Sequence, residues 1–255
     1  MPVPNDAPSL PPGTTLSRVT GAYAPSLGLS QLLVRARSNY DWPAGTGAAA
    51  SQQLIIDLEA LVAARVIALN PTNAHQIVVD VSSWAGNNAN SHAQIVGASP
   101  AQQATMQGAI IDLVTATRTS FGINALWALP GISLVIASKI FRFCSPQIGA
   151  AVDRHASYFF NSLPIVGHGH STNFLRQWVN RHHTRSRLAV YSGHGFSLNR
   201  DEYLDSYLPL LGCIATALNA AGAQYHCAAT GLMQNWNAAD VEMAAYYWWA
   251  SNGAR

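Results

Sequence analysis

Apolar positions recur at helical spacing along most of this chain. In SQQLIIDLEALVAARVIAL, residues 51–69, Leu54, Ile55, Leu58, Leu61 and Val62 follow the i, i+3, i+4, i+7 pattern. This predicts a helix that Asn70-Pro71 stops. IVVDV at 77–81 is too short to separate a strand from a buried turn of helix, and GNNANSHAQIVGAS at 86–99 is expected to be a polar loop. Ser99-Pro100 carries an N-cap followed by proline at N1, opening a helix over 100–119 with Met106, Ile110, Leu113 and Val114 inward. Gly122 is expected to end it. SLVIASKIFRFC predicts a further helix, broken by Pro146 and Gly149, and Asp153 is expected to cap DRHASYFFNSL, which Pro164 ends. Residues 165–172 and 190–197 read as loops, and 173–183, 200–221 and 237–251 as helices. The expected class is all-α, with few and short strands.

Composition narrows the picture. The 255 residues are 49% hydrophobic and 10% charged, too apolar for a disordered chain. No uninterrupted apolar stretch reaches the length of a membrane span, so none is expected, and the expected setting is cytoplasmic. MPVPNDAPSLPPG lacks a basic and apolar leader pattern and is expected to be a loose Pro-rich tail. Cys144, Cys213 and Cys227 form no motif, which suits reduced thiols.

A net charge of +2 excludes a broadly basic coat, but RQWVNRHHTRSR, from Arg176 to Arg187, holds four arginines and two histidines without an acid. Arg181 and Arg185 are candidates to meet phosphates there, against the plainer reading of a solvated helix end. Of 14 basic side chains only Lys139 is a lysine. It sits in an apolar segment, where arginine could replace its charge but not its capacity as an amine nucleophile.

LPGISLVIASKIFRFCSPQIGAAVDRH, Leu129 to His155, concentrates the chemistry. Leu-Pro-Gly-Ile-Ser makes a tight turn whose following helix start offers amides to a phosphate. Leu129, Pro130, Gly131 and Ile132, then an apolar helix, a Pro/Gly break, and Val152, Asp153 and His155 in that order resemble the signature of the helix-hairpin-helix DNA glycosylases, in particular the 8-oxoguanine glycosylase-like proteins of bacteria and archaea. The resemblance covers these 27 residues. Two departures stand in it. Ser133 replaces a second glycine, and the common lysine position falls on Val135, with Lys139 four residues on. Four residues is about one turn along the same helix face.

The resemblance implies a two-lobed all-α fold with its active cleft between the lobes. Residues 75–162 would form a central lobe, and 1–74 with 163–255 the other. It implies double-stranded DNA bearing a damaged or modified base as partner, a monomer, and no cofactor or metal. The product would be an abasic site, in repair or in defence against phage DNA. Asp153 would stabilise the cationic sugar, and Lys139 would act as nucleophile or hold Asp153 ionised. The Val135 departure favours attack by water over attack by Lys139. Gly131, Ile132, Ser133 and His155 would contact DNA, and Trp42, Trp84 and Trp127 are candidates to stack on a flipped base. Asn87 and Asn88 read as a groove-filling loop or a plain turn, and Tyr246 to Trp249 as core or lobe interface.

Two other readings stay open. A hairpin protein could bind DNA without catalysis. His168, His170, His182, His183 and His194 could serve a metal-dependent hydrolase, although no acid lies between Asp153 and Asp201 and no fuller ligand motif accompanies them.

Overall fold

The structure is a computed structural model that describes residues 8–19, 22–42, 45–166 and 200–252. Arg181, Arg185 and the five histidines from His168 to His194 lie outside the described residues, as does the expected helix at 173–183.

Helices dominate. The chain enters through β1 (Leu16–Val19) and β2 (Ala22–Pro25), then α1 (Leu27–Ser38) and α2 (Ala48–Ile67). A central run follows: α3 (Pro71–Trp84), α4 (Ala89–Val96), α5 (Pro100–Val114), α6 (Thr119–Trp127), α7 (Leu134–Cys144) and α8 (Arg154–Ser162). After β3 (Ile165–Val166), a π-helical turn (Tyr203–Tyr207) runs into α9 (Leu208–Ala220). The hairpin of β4 (Tyr225–His226) and β5 (Met233–Gln234) leads to α10 (Ala238–Asn252). β1 pairs antiparallel with β2 and parallel with β3, with Leu16 opposite both Pro25 and Ile165.

Several expectations change. The entry segment is not a loose tail throughout. Ser26 Oγ donates to the Gly13 carbonyl at 2.6 Å while accepting the Thr15 amide, which docks residues 13–15 on the start of α1. α2 already stops at Ile67, with Ala68 as its cap, and Asn70 instead starts α3, accepting the Asn73 amide at 2.9 Å with Pro71 in the first turn. IVVDV is therefore helical: Ala74, Ile77, Val78 and Val81 form one buried face, and its burial overrides the β-branched preference for strand. The expected loop at 86–99 contains α4, capped by Asn88 and anchored by the buried Ile95. Ser99 and Gln102 form a reciprocal capping box, but α5 stops at Val114, whose side chain is exposed. Gly122 is no terminator. A Cβ there would lie 2.8 Å from the Ala109 carbonyl oxygen, so the missing side chain lets α6 close on α5.

One apolar core joins the helices and, except for β5, the short strands. Packing crosses the boundaries expected at 74/75 and 162/163. α2 lies on α3 and α7, whereas α8 lies on α10, which also packs on α1 and α9. Within this core Arg37 on α1 donates to Asp240 on α10 at 2.8 Å, and Tyr225 O–H donates to the same carboxylate oxygen at 2.9 Å. No helix of the described residues is long and apolar enough to cross a membrane.

Candidate functional site

The turn between α6 and α7 is built around Gly131. Its φ of +81° lies in the left-handed region, and a Cβ there would collide with the Ser91 carbonyl of α4. Asn87 Nδ2 donates to the Gly131 carbonyl at 3.3 Å, so Asn87 braces this turn and Asn88 caps α4; both serve the plain-turn reading. Ile132 is a core residue and its amide already donates to the Leu129 carbonyl at 3.3 Å. That leaves the Ile132 amide a poor candidate for a phosphate. Ser133, half-buried, caps α7 by accepting the Ile136 amide at 3.3 Å, which is why a serine fits where the resembled pattern has glycine.

From this turn α7 carries Val135 and Lys139 into the wall of one cavity of about 290 Å³. One helical turn separates them, so the displaced lysine keeps the face of the position it departs from. Two residues from the start of α8, Asp153 and His155, line the same cavity, and Trp42 and Trp84 wall it. The structure thus gathers Asp153, Lys139, His155, Trp42 and Trp84 at one place. Trp127, half-buried at the end of α6, is not among the residues lining it.

Asp153 is held by its own helix. It has extended backbone at the N-cap of α8, and Oδ1 accepts the His155 amide at 2.6 Å. The strand of chain before it is pinned from two sides. Ser138 Oγ on α7 accepts the Val152 amide at 2.9 Å, and Tyr203 O–H donates to the Ala150 carbonyl at 2.7 Å. Lys139 Nζ stands 5.4 Å from the centre of the Trp84 ring, and among the described residues it has no carboxylate at ion-pair distance. The expected alternative, a direct pair between Lys139 and Asp153, is not formed.

Three residues that the sequence did not single out for chemistry complete the cavity: Tyr40, Glu242 and Tyr246. Tyr246, expected in the core or at a lobe interface, meets Trp42 edge-on at 5.7 Å and His155 at 5.4 Å. Glu242 is 5% exposed and accepts no hydrogen bond from a described residue. Burial pushes its carboxyl up to about 8, and the Asp153 charge adds to this; Lys139, Arg142 and Arg37 pull the other way. Burial, then Glu242, likewise raises Tyr40 well above the ordinary phenol range. Chemically, the cavity offers one amine, one helix-capped carboxylate, one buried acid and flat aromatic walls. A trace of Glu242 was present in the sequence, since Asp240 and Glu242 are the only charged residues in α10, but nothing local links α10 to α8.

The described residues contain no cluster of three or more His, Cys, Asp or Glu suited to a metal ion. Comparison of the chain with protein-family models, curated proteins and solved structures finds no match.

Proposed function

We propose that this chain is a DNA glycosylase of the helix-hairpin-helix type, two-lobed, that hydrolyses the N-glycosidic bond of a flipped damaged or modified base. The observation that carries the reading is the convergence of Asp153 and Lys139 with Trp42 and Trp84 on one small cavity, reached from the Gly131 turn by the first residues of α7. The volume lies at the small end of ligand pockets, which run from roughly 300 to 1,000 Å³. It suits a single heteroaromatic ring system rather than an extended ligand.

In this reading a base leaves the stack and its flat faces meet Trp84 or Trp42. Breaking the bond to the sugar builds positive charge at the sugar carbon, and the Asp153 carboxylate stabilises it and orients the attacking water. Lys139, in the same cavity, meets the DNA backbone or the sugar. The amides of Gly131 and Ser133 and the open start of α7 take a phosphate of the same strand.

The test is incubation of the purified protein with duplexes carrying different modified bases, 8-oxoguanine and bulky hypermodified pyrimidines among them, followed by mass spectrometry of released bases. Release by the wild type and loss of release in Asp153→Asn supports the reading. Duplex binding with every base retained would favour the non-catalytic hairpin protein instead.

A further inference from the structure

A second acid in a cavity that already holds Asp153 needs a different task. Departure of a neutral base makes two demands. Positive charge must be stabilised on the sugar, and the base, which takes the bonding electron pair, must receive a proton. The two carboxyls are dressed differently. Asp153 caps a helix N-terminus and its carboxylate accepts an amide hydrogen at 2.6 Å. Glu242 receives no such donor from the described residues and stands in the aromatic wall beside Tyr40 and Tyr246.

We infer that Glu242 is the proton donor of the cavity, passing its carboxyl proton to a ring nitrogen or exocyclic oxygen of the departing base while Asp153 faces the sugar. This rests on the glycosylase reading. As the bond from sugar carbon to base nitrogen breaks, its electron pair goes to the base, and the Glu242 proton neutralises that base. Water adds to the sugar carbon and gives its proton to Asp153. Exchange with solvent returns the proton to Glu242, so the net reaction consumes one water. The substrate class that follows is a neutral base, which leaves as an anion unless protonated. A cationic alkylated purine leaves as a neutral molecule and needs no acid.

Burial first, and then the Asp153 charge, hold Glu242 protonated against the three cations that face it. Asp153 faces Glu242 from α8, and Lys139 and Arg142 from α7, with Arg142 already engaged by Glu59 at 2.8 Å. Arg37 faces it from α1, itself paired to Asp240, and His155 lines the same cavity. The phenols of Tyr40, Tyr203 and Tyr207 all feel the Glu242 charge and are themselves held protonated by burial. With its carboxyl pushed up to about 8, Glu242 carries its proton at neutral pH.

Two measurements test this. The first reads ionisation in the DNA-free protein, as the infrared band of a protonated carboxyl that is lost on raising the pH through about 8. The band is expected in the wild type and in Glu242→Asp and absent from Glu242→Gln. A band identical in wild type and Glu242→Gln, or none in the wild type at neutral pH, overturns the inference whatever the protein does to DNA. The second reads base release against pH. The wild-type rate is expected to fall on the alkaline side, Glu242→Asp to keep that fall at a lower rate, and Glu242→Gln to lose about 10²-fold or more together with the fall. Release of neutral bases with the same alkaline limb in wild type and Glu242→Gln overturns the donor role and leaves the glycosylase reading standing. So does release of 7-methylguanine with no neutral base leaving. No release from any duplex overturns the glycosylase reading and the inference with it.

Discussion

Ser138 Oγ accepts the backbone amide of Val152 at 2.9 Å, tying the helix that carries Lys139 to the residue just before Asp153. The serine is fully buried, and its own hydrogen goes to the Val135 carbonyl. Replacing it with alanine strands the Val152 amide away from water. Ser138→Ala is expected to lose about 1–3 kcal/mol in chemical denaturation. It should also loosen the spacing of Asp153 from Lys139, lowering base release beyond what the lost stability explains at a temperature where the variant is fully folded.

Asp153→Asn separates two roles of one side chain. Asparagine caps a helix about as well as aspartate, so the melting temperature should change little. The negative charge at the developing cation is lost, and base release should fall by about 10²-fold or more. Wild-type release rates from a folded variant would remove Asp153 from the chemistry.

Lys139 is the one lysine of the chain, so covalent trapping through a side-chain amine can report on nothing else. With water as the attacking group, borohydride should trap no protein–DNA adduct and the product should be an intact abasic strand. Lys139→Arg keeps the charge and should then behave much like the wild type. A borohydride adduct lost in Lys139→Arg would establish lysine as the nucleophile.

Gly131→Ala places a methyl group against the Ser91 carbonyl at a φ that L residues avoid. The expected loss is about 2 kcal/mol or more in denaturant unfolding, with weakened duplex binding from a displaced turn. Unchanged stability would mean that the turn has another conformation.

Glu242 also ties stability to pH. Its folded carboxyl is raised above the unfolded value, so the folded state binds the extra proton between the two values and stability falls as pH rises across that window. The window runs from about 4.5 to about 8. Glu242→Gln cannot ionise, so relative to the wild type it should gain stability from pH 5 to pH 8, on the order of a few kcal/mol. Parallel stability curves for the two proteins across that range would contradict a buried acid.

The regular helices were legible where periodicity, a cap and a stop agree, as in Ser99-Pro100 opening α5 and Asp153 opening α8. Short elements were not. β1 and β2 are only four residues each, set among Thr, Ser, Gly and Pro just after the expected tail, and α4 hides its single buried Ile95 in a polar run. Gly122 shows why a glycine misleads: in sequence a packing contact and a helix stop are the same letter. At the site, Asp153, Lys139 and His155 were legible because they fall within one 27-residue segment. Tyr40, Glu242 and Tyr246 were not. They reach the cavity only through packing of α1 and α8 on α10, and contacts between elements so distant in sequence leave no local pattern.

The π-helical turn at Tyr203–Tyr207 makes the site sensitive to chain length as well as to side-chain identity. A π turn holds more residues than an α turn over the same arc. Deleting one residue there, for instance the cavity-remote Asp205, would let the segment wind as ordinary α-helix. The residues before it would then rotate by about 100° and shift about 1.5 Å relative to α9. Tyr203 would swing off the Ala150 carbonyl with every side chain of the cavity still present in the sequence. The position of Asp153 thus depends in part on a count of peptide units in a helix that never touches the cavity.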